Sequence, residues 1–159
     1  MPYATNDAEV KAILTPPLQQ AVKYTVDKIK ELNLEEIDEI VYSYTPSEYG
    51  RTYTFRDAWD YELGGGSGIS ADFHWAPEHL GYHPSIVTGD DIRDGLADII
   101  YQGQAGRILG EGFWTKKRDA FKALQNALGK NQLRKFFEAG MTSAGLNWKR
   151  RGGISMSKS

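Results

Sequence analysis

Apolar residues at helical spacing occupy the first third of the chain. A short helix is predicted to start after Asn6 or Asp7 and to end at residues 15–17 (Thr-Pro-Pro), because proline is tolerated only in a first helical turn. Its apolar positions are Val10, Ile13 and Leu14. The next apolar positions are Leu18, Val22, Val26, Ile29, Leu32, Leu34, Ile37, Val41 and Tyr44. Their spacing predicts a long second helix, bent at Asn33, that ends before Pro46.

Beyond this helix the apolar residues alternate with polar ones. The first alternating segment carries Tyr53, Phe55, Trp59, Tyr61 and Leu63, and the second carries Ile69, Ala71, Phe73 and Trp75. Alternation with a high aromatic content is typical of half-buried strands. Because residues 64–68 (Gly-Gly-Gly-Ser-Gly) separate the two segments, we predict an antiparallel aromatic hairpin with a flexible loop.

Helical patterns return in the second half. Thr88-Gly89-Asp90-Asp91 has the spacing of a capping box, ahead of a helix carrying Ile92, Leu96, Ile99 and Ile100. A glycine-rich connector over residues 103–112 follows. The next helix is predicted from about Lys116 to Leu128, with Gly129 as its stop. The apolar positions of a last helix are Leu133, Phe136, Phe137 and Met141.

Together these elements predict an α+β fold. It has a long N-terminal helix, a small antiparallel sheet formed by the aromatic hairpin, and C-terminal helices. We expect a single domain over residues 1–148 and a basic, Gly/Ser-rich, flexible tail over residues 149–159.

Composition excludes several classes of function. The chain of 159 residues has no cysteine, which removes disulfides, thiolate nucleophiles and Cys-based metal sites. No apolar run reaches the roughly 20 residues of a membrane span, and the first residues do not resemble a secretory signal. The net charge of −2 is unlike the positive net charge of a protein that binds nucleic acid through its phosphates.

Charge is nevertheless uneven along the chain. Residues 34–39 are acidic, whereas Lys116-Lys117-Arg118 and Lys149-Arg150-Arg151 are basic. Such asymmetry suits contact between subunits, and it also suits plain solubility. The paired carboxylates at 35–36, 38–39 and 90–91 are expected on or beside helix starts, where acidic side chains favour the helix dipole.

The three histidines are the best case for an enzyme. His74, His79 and His83 lie near Asp72 and could bind a divalent metal. However, Gly81 between two of them argues against the helix that a helical metal pair needs. Polar residues of an aromatic-rich loop are the favoured interpretation, and a metal-dependent enzyme stays open as an alternative.

Other catalytic patterns are incomplete. Gly103-Gln104-Ala105-Gly106 lacks both the Gly-Lys-Ser/Thr ending of a P-loop and the strand that precedes a dinucleotide fingerprint. The serines lie in no recognisable nucleophile turn. We therefore expect no enzymatic activity, no catalytic or metal-binding residue and no cofactor.

Short motifs carry a resemblance to a known family. Tyr44-Thr45-Pro46-Ser47-Glu48-Tyr49-Gly50-Arg51-Thr52 follows the pattern Tyr-x-Pro-x-x-Tyr-x-Arg-Thr, and residues 99–103 (Ile-Ile-Tyr-Gln-Gly) resemble a helix-closing element. With the order of segments over residues 15–145, they resemble the tail-component family of tailed bacteriophages, which includes tail-completion, neck and head–tail connector proteins. Tyr53 stands where that family usually has glycine, Gln102 where an acidic residue is common, and Lys117 or Asp119 where proline is.

The resemblance implies a structural virion protein of the head–tail junction, made in the host cytoplasm. Its partners would be copies of itself in a ring, for example a hexamer, and other neck or tail proteins. Phage DNA would pass through the ring without specific binding, past the acids of residues 34–39 or the glycine loop. The resemblance also implies that the chain has no membrane partner.

Interface residues are expected among the surplus aromatics and the basic segments. They are Tyr53, Phe55, Trp59, Phe73, Trp75, Lys116, Lys117, Arg150 and Arg151, the aromatics being divided between core and interface. A DNA-binding accessory protein that uses the basic C-terminal tail is the second alternative.

Overall fold

A computed structural model describes residues 4–43, 54–64, 69–84, 88–103 and 117–149, with the backbone alone at Lys130. Its elements are α1 (Asp7–Ile40), α2 (Thr54–Asp57), β1 (Trp59–Leu63), β2 (Ala71–Trp75), two 3-10 turns (Pro77–Leu80 and Arg93–Gly95), α3 (Leu96–Gln102) and α4 (Ala120–Ser143). This confirms the predicted α+β class, with a long N-terminal helix, a two-stranded antiparallel sheet and C-terminal helices.

Helix α1 is one helix where the sequence predicted two. It starts at a side-chain cap, in which Asn6 Oδ1 accepts a hydrogen bond from the Glu9 amide at 3.0 Å. It then continues through Pro16 and Pro17 to Ile40. The predicted break is wrong: the φ of proline is compatible with a helix, and α1 continues through both residues although each removes an amide donor and crowds the carbonyl group four residues before it. Asn33, the expected bend, lies fully buried inside this continuous helix.

Helix α4 runs antiparallel to α1. Near its C-terminal end, Gly140 lies so close to Ala21 of α1 that a Cβ atom on it would be 2.7 Å from the Ala21 carbonyl oxygen. Near its start, Phe121 packs on the cluster that contains Ile37, close to the C-terminal end of α1. Glycine at position 140 is therefore what allows the two backbones to touch.

Gly129 divides α4 into two segments. Its backbone, at φ 38° and ψ −177°, is not helical, which confirms the stop predicted there from sequence. The first segment starts at Ala120, where Asp119 Oδ1 accepts from the Lys122 amide at 2.9 Å. That start lies later in the chain than the predicted start near Lys116.

The hairpin has one aromatic and one polar face. Its register pairs Trp59 with Trp75, Tyr61 with Phe73 and Leu63 with Ala71 on one face. The other face pairs Asp60 with His74 and Glu62 with Asp72. The strand predicted from Tyr53 starts only at Trp59, because residues 54–57 form the helical turn α2, which buries Phe55 to 5% exposure.

The predicted capping box does not cap a helix. Helix α3 begins at Leu96, after Gly95, which makes no side-chain cap. Thr88 instead accepts a hydrogen bond from the Asp90 amide at 3.3 Å within a local turn. Helix α3 contributes Leu96, Ala97, Ile100 and Tyr101 to the core.

One apolar core joins these elements. Its buried members are Ile37, Val41, Phe55, Ala58, Trp59, Leu80, Leu96, Ala97, Ile100, Tyr101 and Ala120. The C-terminal part of α1, the hairpin, α3 and the start of α4 thus meet in one place, whereas the first turns of α1 take no part in the core.

Candidate interaction surface

The aromatic residues expected at an interface centre on Trp59. Its ring stacks on Phe73 with centroids 5.6 Å apart and on Phe121 at 5.8 Å, and it meets Trp75 edge-on at 5.4 Å. Phe55 and Trp59 are each 5% exposed, so they fall on the core side of the expected division. Phe73 and Trp75 are half-buried against the same core, while Tyr53 lies outside the described residues.

The basic candidates are only partly described. Lys117 is exposed, and its Nζ lies 3.3 Å from Asp119 Oδ2, so it pairs with the residue that caps α4. Lys116, Arg150 and Arg151 lie outside the described residues. Lys149 is exposed just after Trp148, whose Nε1 donates to Thr142 Oγ1 at 3.1 Å and thus holds Trp148 against the last turn of α4.

The three histidines take separate places in the fold. His74 lies on β2 opposite Asp60, and His79 Nδ1 is 3.4 Å from the Asp57 carbonyl oxygen. His83 uses its backbone amide to donate to Asp91 Oδ1 at 3.1 Å. Within the described ranges, no three His, Cys, Asp or Glu side chains form a group that could hold a metal ion. The three histidines predicted as possible metal ligands are thus not brought together in a ligand cluster within the described residues.

The acids of residues 34–39 lie at the C-terminal end of α1, not at a helix start as expected. That end carries partial negative charge, so acidic side chains there are electrostatically unfavourable. The last turn of α1 has no basic residue. Arg56 of α2 offsets part of the charge, with Nη1 3.3 Å from Asp38 Oδ2. Glu35 and Glu39 are exposed, so this end of the molecule is acidic.

The hairpin is attached to the middle of α1 by polar contacts. Tyr61 Oη donates to Asp27 Oδ1 at 2.6 Å, and Lys30 Nζ donates to Asp60 Oδ1 at 3.1 Å. Burial opposes the charged form of Asp27, but hydrogen bonds from Lys23 and Tyr61 outweigh it and lower the pKa. The Lys30 hydrogen bond lowers the pKa of the Asp60 carboxyl. Strand β1 therefore runs along α1, and the C-terminal end of β1 points towards the first half of the helix.

Sequence reasoning missed the surface at the N-terminal end of α1. We call residues 7–14 the overhang, because every one of them is exposed and α4 ends at Ser143, about one turn after Gly140 meets Ala21. Val10, Ile13 and Leu14 form the overhang stripe and are 42%, 40% and 40% exposed. Their spacing was visible in the sequence and indicated an apolar face, but it did not show that these side chains stay exposed among the described residues.

The overhang stripe continues a face that is buried further along α1. Val10 and Leu14 precede Ala21 by eleven and seven residues, which is about three and two helical turns. They therefore share the side of α1 that packs on α4. The stripe is the same packing face, extended past the end of its partner.

A shallow apolar groove lies between α1 and the tip of the hairpin. We call it the hairpin groove; its volume is about 180 Å³ and its lining residues are Gln19, Val22, Leu63, Gly64 and Ser70. Leu63 is 45% exposed at its rim, and Ile69 beside it is 39% exposed.

Comparison with known proteins identifies no relative, since no family model, curated protein or solved structure matches the chain. Among the helices in the described part of the chain, none combines the length and apolarity that crossing a bilayer requires.

Proposed function

We propose that this chain is a structural subunit of the head–tail junction of a tailed bacteriophage and acts by assembling into a ring. Its partners are further copies of itself and the neighbouring neck or tail proteins of the virion. Synthesis takes place in the host cytoplasm, and phage DNA passes through the assembled ring. The proposal assigns the chain no catalytic step and no cofactor.

The overhang stripe is the observation that carries the proposal. Its three large apolar side chains, Val10, Ile13 and Leu14, are 42%, 40% and 40% exposed on a helical segment that extends past the end of α4. Burying such a face removes apolar surface from water. This contributes roughly 25 cal/mol of stabilising free energy per Å² of apolar area. A subunit made for assembly has a physical reason to present this face.

The acidic end of α1 supports the passage of DNA. Glu35, Asp38 and Glu39 are exposed there, and the helix terminus adds partial negative charge. Negative charge repels the phosphate backbone and disfavours adhesion of DNA to a channel wall.

Light-scattering mass during size-exclusion chromatography, over a concentration series, tests self-assembly. A discrete multiple of the 17.8 kDa chain is expected, such as a hexamer, and electron microscopy of that peak should show rings with an opening wide enough for duplex DNA. Leu14→Lys should shift the profile towards monomer. Leu133→Lys, at a leucine 44% exposed on α4, is the matched control and should leave it unchanged.

Two results would contradict the proposal. A monomer at every concentration tested would remove the self-assembling ring. Tight, steeply salt-dependent DNA binding that is lost on deleting residues 149–159 would favour the DNA-binding alternative instead.

A further inference from the structure

We propose that α1 exchanges between two starting points in the free monomer. In the long form it starts at Asp7, as the structure shows. In the short form it starts at Pro16, with Thr15 as the cap and residues 7–14 unwound. The exchange is a property of the monomer and does not require the proposed ring. It acts as a conformational switch, because the overhang stripe exists only in the long form.

Two prolines make the long form costly. Pro16 and Pro17 lie in the interior of α1. Each lacks an amide hydrogen and crowds the carbonyl group four residues before it, at Ala12 and Ile13. The residue before a proline also disfavours the helical backbone, which affects Thr15 as well as Pro16. Proline is the least favourable residue for a helix interior, so this is the point at which α1 is most costly to continue.

Little of the packing that stabilises α1 reaches the overhang. Every residue from 7 to 14 is exposed, and Ala21 is the first buried residue of α1. Ala21 packs against Gly140 of α4. A helical segment of fewer than about 12 residues is marginal without such packing. The overhang can therefore unwind while the remainder of α1 stays folded.

The short form has a well-satisfied start. The first backbone donors after a helix cap have no partner within the helix. With Thr15 as the cap, the first two positions are Pro16 and Pro17, which have no amide hydrogen. The third is Leu18, whose amide can donate to the side-chain oxygen of a threonine cap. A helix that starts here therefore leaves none of these three positions with an unpaired donor.

The hydroxyl group of Thr15 has a role in each form. In the long form Thr15 Oγ1 donates to the Lys11 carbonyl oxygen at 2.7 Å. Bonds of this kind slightly destabilise a helix, so the long form gains little from it. In the short form the same oxygen accepts from the Leu18 amide. The hydroxyl group therefore changes from donor to acceptor when the helix start moves.

The helix start decides whether the overhang stripe is present. Val10, Ile13 and Leu14 form one stripe only while residues 7–14 are helical, since their alignment depends on helical spacing. A partner that binds the aligned stripe selects the long form. The apparent affinity for such a partner is the intrinsic affinity multiplied by the fraction of chains in the long form.

NMR Cα chemical shifts of the full chain, at concentrations where it is monomeric, measure the helical fraction of residues 7–14. Thr15→Val removes the hydroxyl group but keeps the branched shape and a similar helix propensity. It should raise the ratio of long to short form about fivefold, the effect of losing one side-chain cap. Replacing both Pro16 and Pro17 with alanine should raise this ratio further. Pro77→Ala, at a proline in the first 3-10 turn, is the matched control and should leave residues 7–14 unchanged.

Residues 21–37 report whether each variant keeps its fold, because their shifts should stay helical throughout. An unchanged helical fraction of residues 7–14 in Thr15→Val would overturn the exchange, since fraying from the N-terminus involves no cap at position 15. A natural chain in which residues 7–14 are as helical as residues 21–37 would overturn it as well. The test of the ring is separate, because light scattering detects an oligomer whichever form the monomer favours.

Discussion

The two ends of α1 have the same kind of sequence and opposite surroundings. Ile37, near the C-terminal end, is fully buried among the aromatic residues of the core, whereas Ile13, in the overhang, is 40% exposed. Both isoleucines lie on an apolar stripe of a continuous helix. The contrast teaches that apolar spacing predicts a helix and its packing face, but not whether the chain itself supplies the partner for that face.

The contrast extends to what holds each end helical. Most helix stability in proteins comes from tertiary packing, and a segment of fewer than about 12 residues is marginal alone. The covered part of α1 packs on α4 and the hairpin. The side-chain hydrogen bonds of the overhang among the described residues are local: the Asn6 cap, the Thr5–Glu9 bonds at 2.7 and 2.9 Å, and the bond from Thr15 Oγ1 to the Lys11 carbonyl oxygen at 2.7 Å. The overhang is therefore expected to be less stably helical than the covered part of α1.

The largest expected effect on stability comes from replacing isoleucine with alanine, a substitution that can be made at both ends of α1. Ile37→Ala should lower the free energy of unfolding by about 2–5 kcal/mol, because it opens a cavity in the core. Ile13→Ala should stay within about 0.5 kcal/mol of the natural chain. Urea unfolding at concentrations where the protein is monomeric measures both. Equal losses would mean that the overhang is packed within the monomer.

Adding a single Cβ atom should disrupt the contact between α1 and α4. Gly140→Ala places a Cβ 2.7 Å from the Ala21 carbonyl oxygen, so the helices must separate. A loss of about 1–3 kcal/mol in stability is expected from this overpacking. Ala139→Ser, on the exposed neighbouring position, serves as the control. An unchanged stability of Gly140→Ala would contradict the close crossing.

The covered part of α1 also holds a polar defect. Asn33 is 0% exposed, and neither its side-chain oxygen nor its nitrogen has a hydrogen-bond partner among the described residues. A buried polar group without a partner costs about 1–3 kcal/mol. Asn33→Leu, which has the same branching and number of side-chain heavy atoms, should therefore raise the free energy of unfolding by up to about that amount in thermal or urea unfolding. A lower stability would show that the amide has a bound water or another partner.

The prolines at the base of the overhang should have a purely local effect. Pro16 and Pro17 have no amide hydrogen, so the carbonyl groups of Ala12 and Ile13 lack their helical donors. Replacing both prolines with alanine should slow amide hydrogen exchange in residues 7–14. Exchange in residues 21–37 serves as the internal control and should not change. Slower exchange in both ranges would show that the two parts of α1 unfold together.

The smallest effect concerns the attachment of the hairpin to α1. The pKa of Asp27 is lowered in the folded state, so its contribution is present above the unfolded value of about 3.9 and is lost as pH falls through the folded value. The carboxylate is 42% exposed, which limits the effect to less than about 1 kcal/mol. Asp27→Asn should be slightly less stable than the natural chain at pH 7, and the difference should vanish near pH 2. A constant difference would contradict the assignment.

Local signals in the sequence predicted much of the fold. The glycine at position 129 ended a helical segment as expected, and the alternating residues 59–63 and 71–75 formed the hairpin. Phe55 was assigned to a strand by alternation, yet it lies in a helical turn, because core packing overrode the local pattern. Pro16 and Pro17 predicted the end of a helix. Their φ is compatible with a helix, and α1 continues through both.

The candidate surface was harder to predict because it depends on where α4 ends in space. The aromatic residues were predicted at an interface because they are numerous, but Trp59 and Phe55 are buried in the core. In the sequence, the overhang stripe does not differ from the apolar face of any other amphipathic helix. Only the position of Gly140 against Ala21 shows that α4 stops short of Val10 and Leu14.

The polar face of the hairpin has a consequence for how copies can aggregate. A two-stranded sheet leaves strand edges that could template further strands, as in amyloid growth. Asp60, Glu62 and Asp72 place carboxylates along this short hairpin, and charge at sheet edges is a common protection against such growth. At high local concentration these carboxylates therefore disfavour the strand-to-strand pairing by which fibrous precipitates grow.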